Sequence, residues 1–313
     1  VGNAQGIPDP ALRAGGGFGG LLNSLMGVPQ AAQPASTAMQ AQAALPPLFR
    51  VAPSRPGIFT VAPAGTPGAD TSSLRDAVFS AASGDLILVK PGTYDGPVSV
   101  QGKTLRIRGA GARPGDVSVR WTGPGAAVSV RNGTLDLEKI RVERGAYYEF
   151  PRTEPGGAVY AVASTLNLRN AELSSTDASS PPLIVEQGDK ATRVAAEDVL
   201  LSGSNANMLV RGAVKAKLTR VTFEAYKRPL AAWIDAVVEL YDCRFLDNGE
   251  PLLLAYEGAR VAAMSGKIPR LNTVRGADAT SFEESFGSKR VVNARGGFSR
   301  DIFRRGRRPG TLP

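Results

Sequence analysis

Apolar residues along the middle of this chain recur in an eight-residue frame, filling its positions 1, 3, 6 and 8. The frame reads Leu135, Leu137, Ile140, Val142, then Leu166, Leu168, Ala171, Leu173, then Val194, Ala196, Val199, Leu201. It continues with Ala216, Leu218, Val221, Phe223 and with Val238, Leu240, Cys243, Phe245, and fades through Val261, Ala263, Gly266, Ile268. Successive frames start 31, 28, 22, 22 and 23 residues apart. Alternation within each half of the frame predicts a strand with one face inward. The two residues between the halves predict a corner, after which the next strand faces the same interior. A repeat of this length, built from strands, predicts a coiled solenoid.

The same grammar begins upstream. Val98-Ser99-Val100, four residues and Leu105-Arg106-Ile107 return 30 residues later as Val128-Ser129-Val130, four residues and Leu135-Asp136-Leu137. Pro182-Leu183, Pro229-Leu230 and Pro251-Leu252 open further units, with Met208 placed 22 residues before Leu230. Proline suits a strand start because it cannot donate to a ladder. Each unit then holds three short strands and three corners. The expected fold is all-β: a single-stranded, right-handed parallel β-helix of about eight rungs, roughly 40 Å long at about 4.8 Å per rung. Ser73 and Asp76 resemble a capping box, and Leu74, Ala77, Val78 and Ala81 make one apolar face, so a helix is expected to cover the first rung. The tail past Ile268 is the candidate cap at the other end.

The segments Leu74-Arg-Asp-Ala-Val, Gly84-Asp-Leu-Ile-Leu-Val-Lys-Pro-Gly-Thr-Tyr and Leu105-Arg-Ile-Arg-Gly-Ala-Gly resemble the opening of the pectin-lyase-like β-helix superfamily. The resemblance spans about residues 57–268 and implies the fold. It leaves function open, because the superfamily includes lyases, esterases, epimerases, phage tailspikes, adhesins and non-catalytic scaffolds. The esterase branch needs a Gly-x-Val-Asp-Phe-Ile-Phe-Gly-like strand and a Gly-Arg-Pro-Trp-like strand, and neither occurs in this sequence. The pectate lyase branch gathers acids around calcium, and no compact Asp-rich cluster stands out. The alginate epimerases usually depend on histidine, and the chain contains none.

Composition adjusts this picture. Apolar residues make up 42% of the chain but aromatics only 6%, so Val, Leu, Ile and Ala must build the core. The absence of histidine removes histidine bases, triads and ligands. No metal site and no cofactor are expected. Cys243, the single cysteine, sits at frame position 6 and reads as a small buried apolar residue. No run of about 18 apolar residues predicts a transmembrane helix. The sequence starts at Val1 without a signal peptide, which fits a processed, exported protein and equally a trimmed one. An exported, periplasmic or cell-surface location is the expectation.

Residues 1–56 are expected to form a flexible or partner-ordered arm, 57–270 the β-helix, and 271–313 a basic tail. Within the arm, Phe18, Leu21, Leu22, Leu25 and Met26 fall at near-helical spacing and suggest a docking peptide, against a merely sticky stretch. The net charge of +9 concentrates in the last 25 residues, where Arg304, Arg305, Arg307 and Arg308 make the densest run. These arginines suit an acidic surface on a neighbouring subunit or another polyanion. Nucleic acid is the weaker reading, since no known nucleic-acid fold accompanies them. Two groups could face a ligand. Tyr147, Tyr148 and Phe150 lie in the longest insertion, which must project from the rod. A 22-residue register would align Asp189, Arg211, Trp233 and Ala255, with Asp235 and Glu257 beside them. An arginine among carboxylates next to a tryptophan could hold a sugar acid, or do acid–base work if a carboxylate were desolvated. The competing reading is a solvated strand end with alternating charge. Together these features favour a non-catalytic scaffold of a surface assembly, tethered through its tails and facing carbohydrate. A polysaccharide lyase using Arg211 with Asp189, Asp235 or Glu257 is the alternative.

Overall fold

A computed structural model describes residues 47–147, 156–204, 206–224, 228–246, 253–256, 259–265, 279–282 and 290–294. The chain coils as a right-handed parallel β-helix with three faces. Sheet 1 stacks seven strands: Val98–Gln101, Ala126–Arg131, Gly157–Val162, Leu183–Glu186, Ala206–Arg211, Arg228–Trp233 and Leu253–Tyr256. Sheet 2 runs from Ile58–Val61 to Arg260–Ser265 and holds the first half of each frame. Sheet 3 holds the second half. The two are continuous where the long strands Thr165–Ser175 and Thr192–Gly203 pass round the corner without a break.

The frame fixes the register of sheets 2 and 3. Leu135 pairs with Leu166, Leu166 with Val194, Val194 with Ala216, Ala216 with Val238 and Val238 with Val261. Frame residues from Leu135 to Leu240 are buried and join one continuous core. Gly266 and Ile268, where the frame fades, lie outside the described residues. Cys243 is inside this core, and burial pushes its thiol pKa up to about 11, as expected for a packing residue. Phe223 and Phe245 stack on consecutive rungs with ring centroids 5.0 Å apart.

The corner between sheets 2 and 3 has its own rule. Frame position 5 is left-handed in five successive rungs, at Lys139, Asn170, Asp198, Arg220 and Asp242, with φ between 47° and 55°. This backbone costs an L-residue about 1–2 kcal/mol. It lets two residues turn the chain while both flanking strands face inward, and it keeps the ladder intact. The Lys139 amide donates to Arg169 O, Arg220 to Tyr241 O and Asp242 to Ser265 O.

Helix α1 (Leu74–Ser80) covers the first rung, with Ser73 Oγ accepting from the Asp76 amide at 3.2 Å. Its other end is closed by Lys103, whose ammonium donates to Val78 O, Phe79 O and Ala81 O. A cation there satisfies orphan carbonyls and opposes the helix dipole. Residues 47–51, within the expected arm, run along α1, and Val51 packs on the core. At the far end, Arg290–Ala294 pairs antiparallel with Arg260–Ser265, and Ala279–Phe282 pairs antiparallel with Arg290–Ala294. Two strands of the expected tail thus continue the last rung of sheet 2. Among the described residues no helix is long and apolar enough to cross a membrane.

Candidate functional site

The outward side chains of sheets 2 and 3 form ladders of opposite charge. Arg106 faces Asp136 at 3.7 Å, Arg108 faces Glu138 at 3.6 Å and Arg141 donates to Glu172 at 2.6 Å, each pair on adjacent strands. Arg220 donates to both Asp198 oxygens and to Glu197 at 2.7–2.8 Å. These groups satisfy one another.

The outer face of sheet 1 differs. Its middle column reads Ser99, Ser129, Tyr160, Ile184, Leu209, Ala231, and its end column reads Gln101, Arg131, Val162, Glu186, Arg211, Trp233. Tyr160 (5% exposed), Ile184 (2%), Leu209 (1%) and Ala231 form a second apolar cluster with Ala126 and Ala206, separate from the core, with Val162 and Trp233 against it. Polar groups are set into that cluster. The Tyr160 hydroxyl donates to Glu186 Oε2 at 2.9 Å, and the Arg131 guanidinium lies 5.0 Å from the Tyr160 ring centre. Glu186 pairs in register with Arg211, and Arg211 with Trp233. Five consecutive strands therefore place Arg131, Val162, Glu186, Arg211 and Trp233 in one column at about 4.8 Å per step, and Tyr160 reaches from the middle column to touch both Arg131 and Glu186. An arginine fork can take a carboxylate in two hydrogen bonds, and an indole face can stack on a sugar ring.

The register corrects the predicted column. Glu186, not Asp189, stands beside Arg211, because the step between these rungs is 25 residues and the extra ones fill the corner after Glu186. Asp189 is exposed in that corner. At the next junction Leu230 pairs with Leu253 rather than Leu252, and Ala232 with Ala255. Ala255 therefore points into the core, and Tyr256 takes the register position beside Trp233. A slip of one residue exchanges the two faces of a strand. Asp235 is exposed in the corner after Trp233, where Ile234 and Asp235 are both left-handed, with φ of 50° and 57°. A β-branched residue in that region is an outlier, and it fixes how the chain leaves Trp233.

Of the three aromatics in the insertion, only Tyr147 is described. Its ring centre lies 5.6 Å from the Arg144 guanidinium, on the corner that leads into Gly157–Val162. Tyr148, Phe150, Glu257, Phe18, Leu21, Leu22, Leu25, Arg304, Arg305, Arg307 and Arg308 lie outside the described residues. Arg131, Tyr160 and Glu186 were missed by the sequence reading. Strand ends carried the signal: Leu-Ile-Val-Glu186, Met-Leu-Val-Arg211 and Leu-Ala-Ala-Trp233 all stop at the same register position. Among the described residues no three His, Cys, Asp or Glu side chains gather to hold a metal ion.

No family model matches the chain, and comparison with curated proteins finds no match either. Among solved structures, the crystal structure of Escherichia coli YbhC is similar, at 15% sequence identity and a TM-score of 0.38. The similarity covers 82% of this chain and 87% of that one. A likeness this distant says nothing of chemistry.

Proposed function

We propose that this protein is a β-helix scaffold of the pectin-lyase-like kind, whose sheet 1 holds an anionic saccharide along its accessible end column without cleaving it. The observation that carries the reading is the row Arg131, Val162, Glu186, Arg211 and Trp233 on consecutive strands, with the Tyr160 hydroxyl reaching Glu186 from the neighbouring column. A single carboxylate, Glu186, stands beside Arg211 and already accepts a hydrogen bond from Tyr160, while Arg131 lies two strands away against the Tyr160 ring. Acid–base cleavage of a glycan needs a second group held across the scissile bond. Of the acids proposed from the sequence, Asp189 and Asp235 belong to corners rather than to this row, and Glu257 lies outside the described residues. A row of cations and an indole, by contrast, suits retention: the fork takes the uronate carboxylate and the indole takes the ring. The basic residues Arg304, Arg305, Arg307 and Arg308 complete the scaffold reading as contacts to an acidic neighbouring subunit.

Titration calorimetry with oligouronates, beside an assay for unsaturated products with and without calcium, tests this. The expected outcome is binding that weakens about tenfold or more in Arg211→Ala and in Trp233→Ala, the scale of a lost charge-assisted contact, with no product formed by any variant. Product formation that disappears in Arg211→Ala would replace the scaffold reading with the lyase one. Absence of binding would remove the ligand from the proposal.

A further inference from the structure

Among the described residues, five large apolar side chains stand exposed, and three of them gather at the capped end of the rod. They are Leu48 (43% exposed), Phe49 (63%) and Phe79 (43%). They are held there. The Phe49 amide donates to Asp76 Oδ1 at 3.1 Å, the Val51 amide to Ser80 Oγ at 2.8 Å, and Ser80 Oγ to Phe49 O at 3.4 Å. The Arg50 guanidinium lies 5.9 Å from the centre of the Phe79 ring. These contacts bind the stretch from Phe49 to Val51 along α1 and leave the apolar faces pointing away from the core. Exposed aromatics are costly in a chain with 6% aromatic content, and the core of the rod does not use these.

We infer that this patch is the docking site of the chain's own N-terminal segment, Phe18 to Met26. Three observations select that occupant. The arm joins the described chain at Pro47, next to Leu48. It carries Phe18, Leu21, Leu22, Leu25 and Met26 at spacing that makes one apolar helix face. The patch is also too small for an untethered partner. Three side chains that are about half exposed, each aromatic offering about 150–250 Å² when whole, present well under the roughly 800 Å² that each partner contributes to a stable interface between separate chains. A tethered segment needs far less, because the linker supplies an effective concentration in the millimolar range. The connection from residue 27 to residue 46 would span about 25 Å as a random coil, which easily reaches a patch beside its own attachment point. Docking there adds an apolar layer over α1 at the end where the rung stack begins.

The test uses the full chain with a nitroxide attached at Ala82→Cys, an exposed position just past α1. Cys243 is buried and remains unlabelled in the native protein. Amide signals of residues 18–26 are expected to lose most of their intensity. The loss should vanish in Phe49→Ser/Phe79→Ser, while the unfolding transition of the rod is kept, since both side chains are exposed. Undiminished signals, or a loss that survives the double substitution, overturn the inference. So does an equal loss in isotope-enriched chains that carry no nitroxide when they are mixed with nitroxide-bearing chains, because that places the segment on a second copy.

Discussion

Sheets 2 and 3 show the solvent ladders of opposite charge, whereas the outer face of sheet 1 buries an apolar cluster rimmed by a few polar groups. The inner faces of all three carry the same Val, Leu, Ile and Ala core. The difference is therefore not about holding the rod together from inside. On sheets 2 and 3 each outward pair, such as Arg108 with Glu138, contributes little energy at the surface but penalises a slipped register, where like charges would meet. On sheet 1 the outer apolar residues blur the distinction between inside and outside, so corners and insertions must set the register. A face that gives up cheap register control for buried tyrosine, isoleucine and leucine is specialised for something other than solvent.

The sharpest way to break this comparison is to place a charge at equivalent outward positions. Ile184→Asp puts a carboxylate into the outer cluster, where Ile184 is 2% exposed. It should cost about 3–5 kcal/mol, the scale of an uncompensated buried charge. Ala195→Asp lies on the exposed face of sheet 2, in register with Lys217, and should change stability by no more than about 0.5 kcal/mol. Urea unfolding of both variants measures the contrast. Equal effects would mean that sheet 1 is an ordinary wet surface.

A smaller effect separates the polar contacts. A double-mutant cycle on Tyr160 and Glu186 should give a coupling of about 1.5–2 kcal/mol, since a nearly buried hydroxyl bonds a charged acceptor. The same cycle on Arg141 and Glu172 should give less than about 1 kcal/mol, because both side chains remain partly exposed. The reverse order would show that the ladders, rather than the sheet 1 network, carry the polar stabilisation.

The same contrast explains what the sequence could reveal. Strict alternation on sheets 2 and 3, with polar residues outside, made the frame readable down to its pairing partners. Leu135, Leu166 and Val194 are indeed neighbours. On sheet 1 the strand Gly157–Val162 is nearly all apolar, and periodicity cannot tell the inner Val159 from the outer Tyr160. Corner insertions are also invisible to alternation, which acts only within strands. The three additional residues after Glu186 therefore moved Asp189 into the predicted column in its place. The left-handed corner was hidden for another reason. Its five positions hold Lys, Asn, Asp, Arg and Asp, and only Asn and Asp favour that backbone by themselves.

The smallest effect concerns acid and belongs to the ladders. The hydrogen bond from Arg220 holds the Asp198 carboxyl below its ordinary value of 3.8, with the guanidinium charge acting the same way and slight burial opposing it. A carboxyl whose pKa is lower in the folded protein binds its proton less readily there than in the unfolded chain. Its contribution to stability is therefore complete above the unfolded value, near 3.8, and is lost as pH falls through the lower folded value. Asp198→Asn should flatten the fall in stability across that acid window while changing neutral-pH stability only slightly, as read from urea midpoints at a series of pH values. Because Arg220 and Asp198 are solvated, about 1 M salt, with a screening length near 3 Å, should shrink the difference between wild type and variant. A difference that survives high salt would place this pair in a dry setting like that of Tyr160 and Glu186, and would erase the distinction between the two kinds of face at this corner.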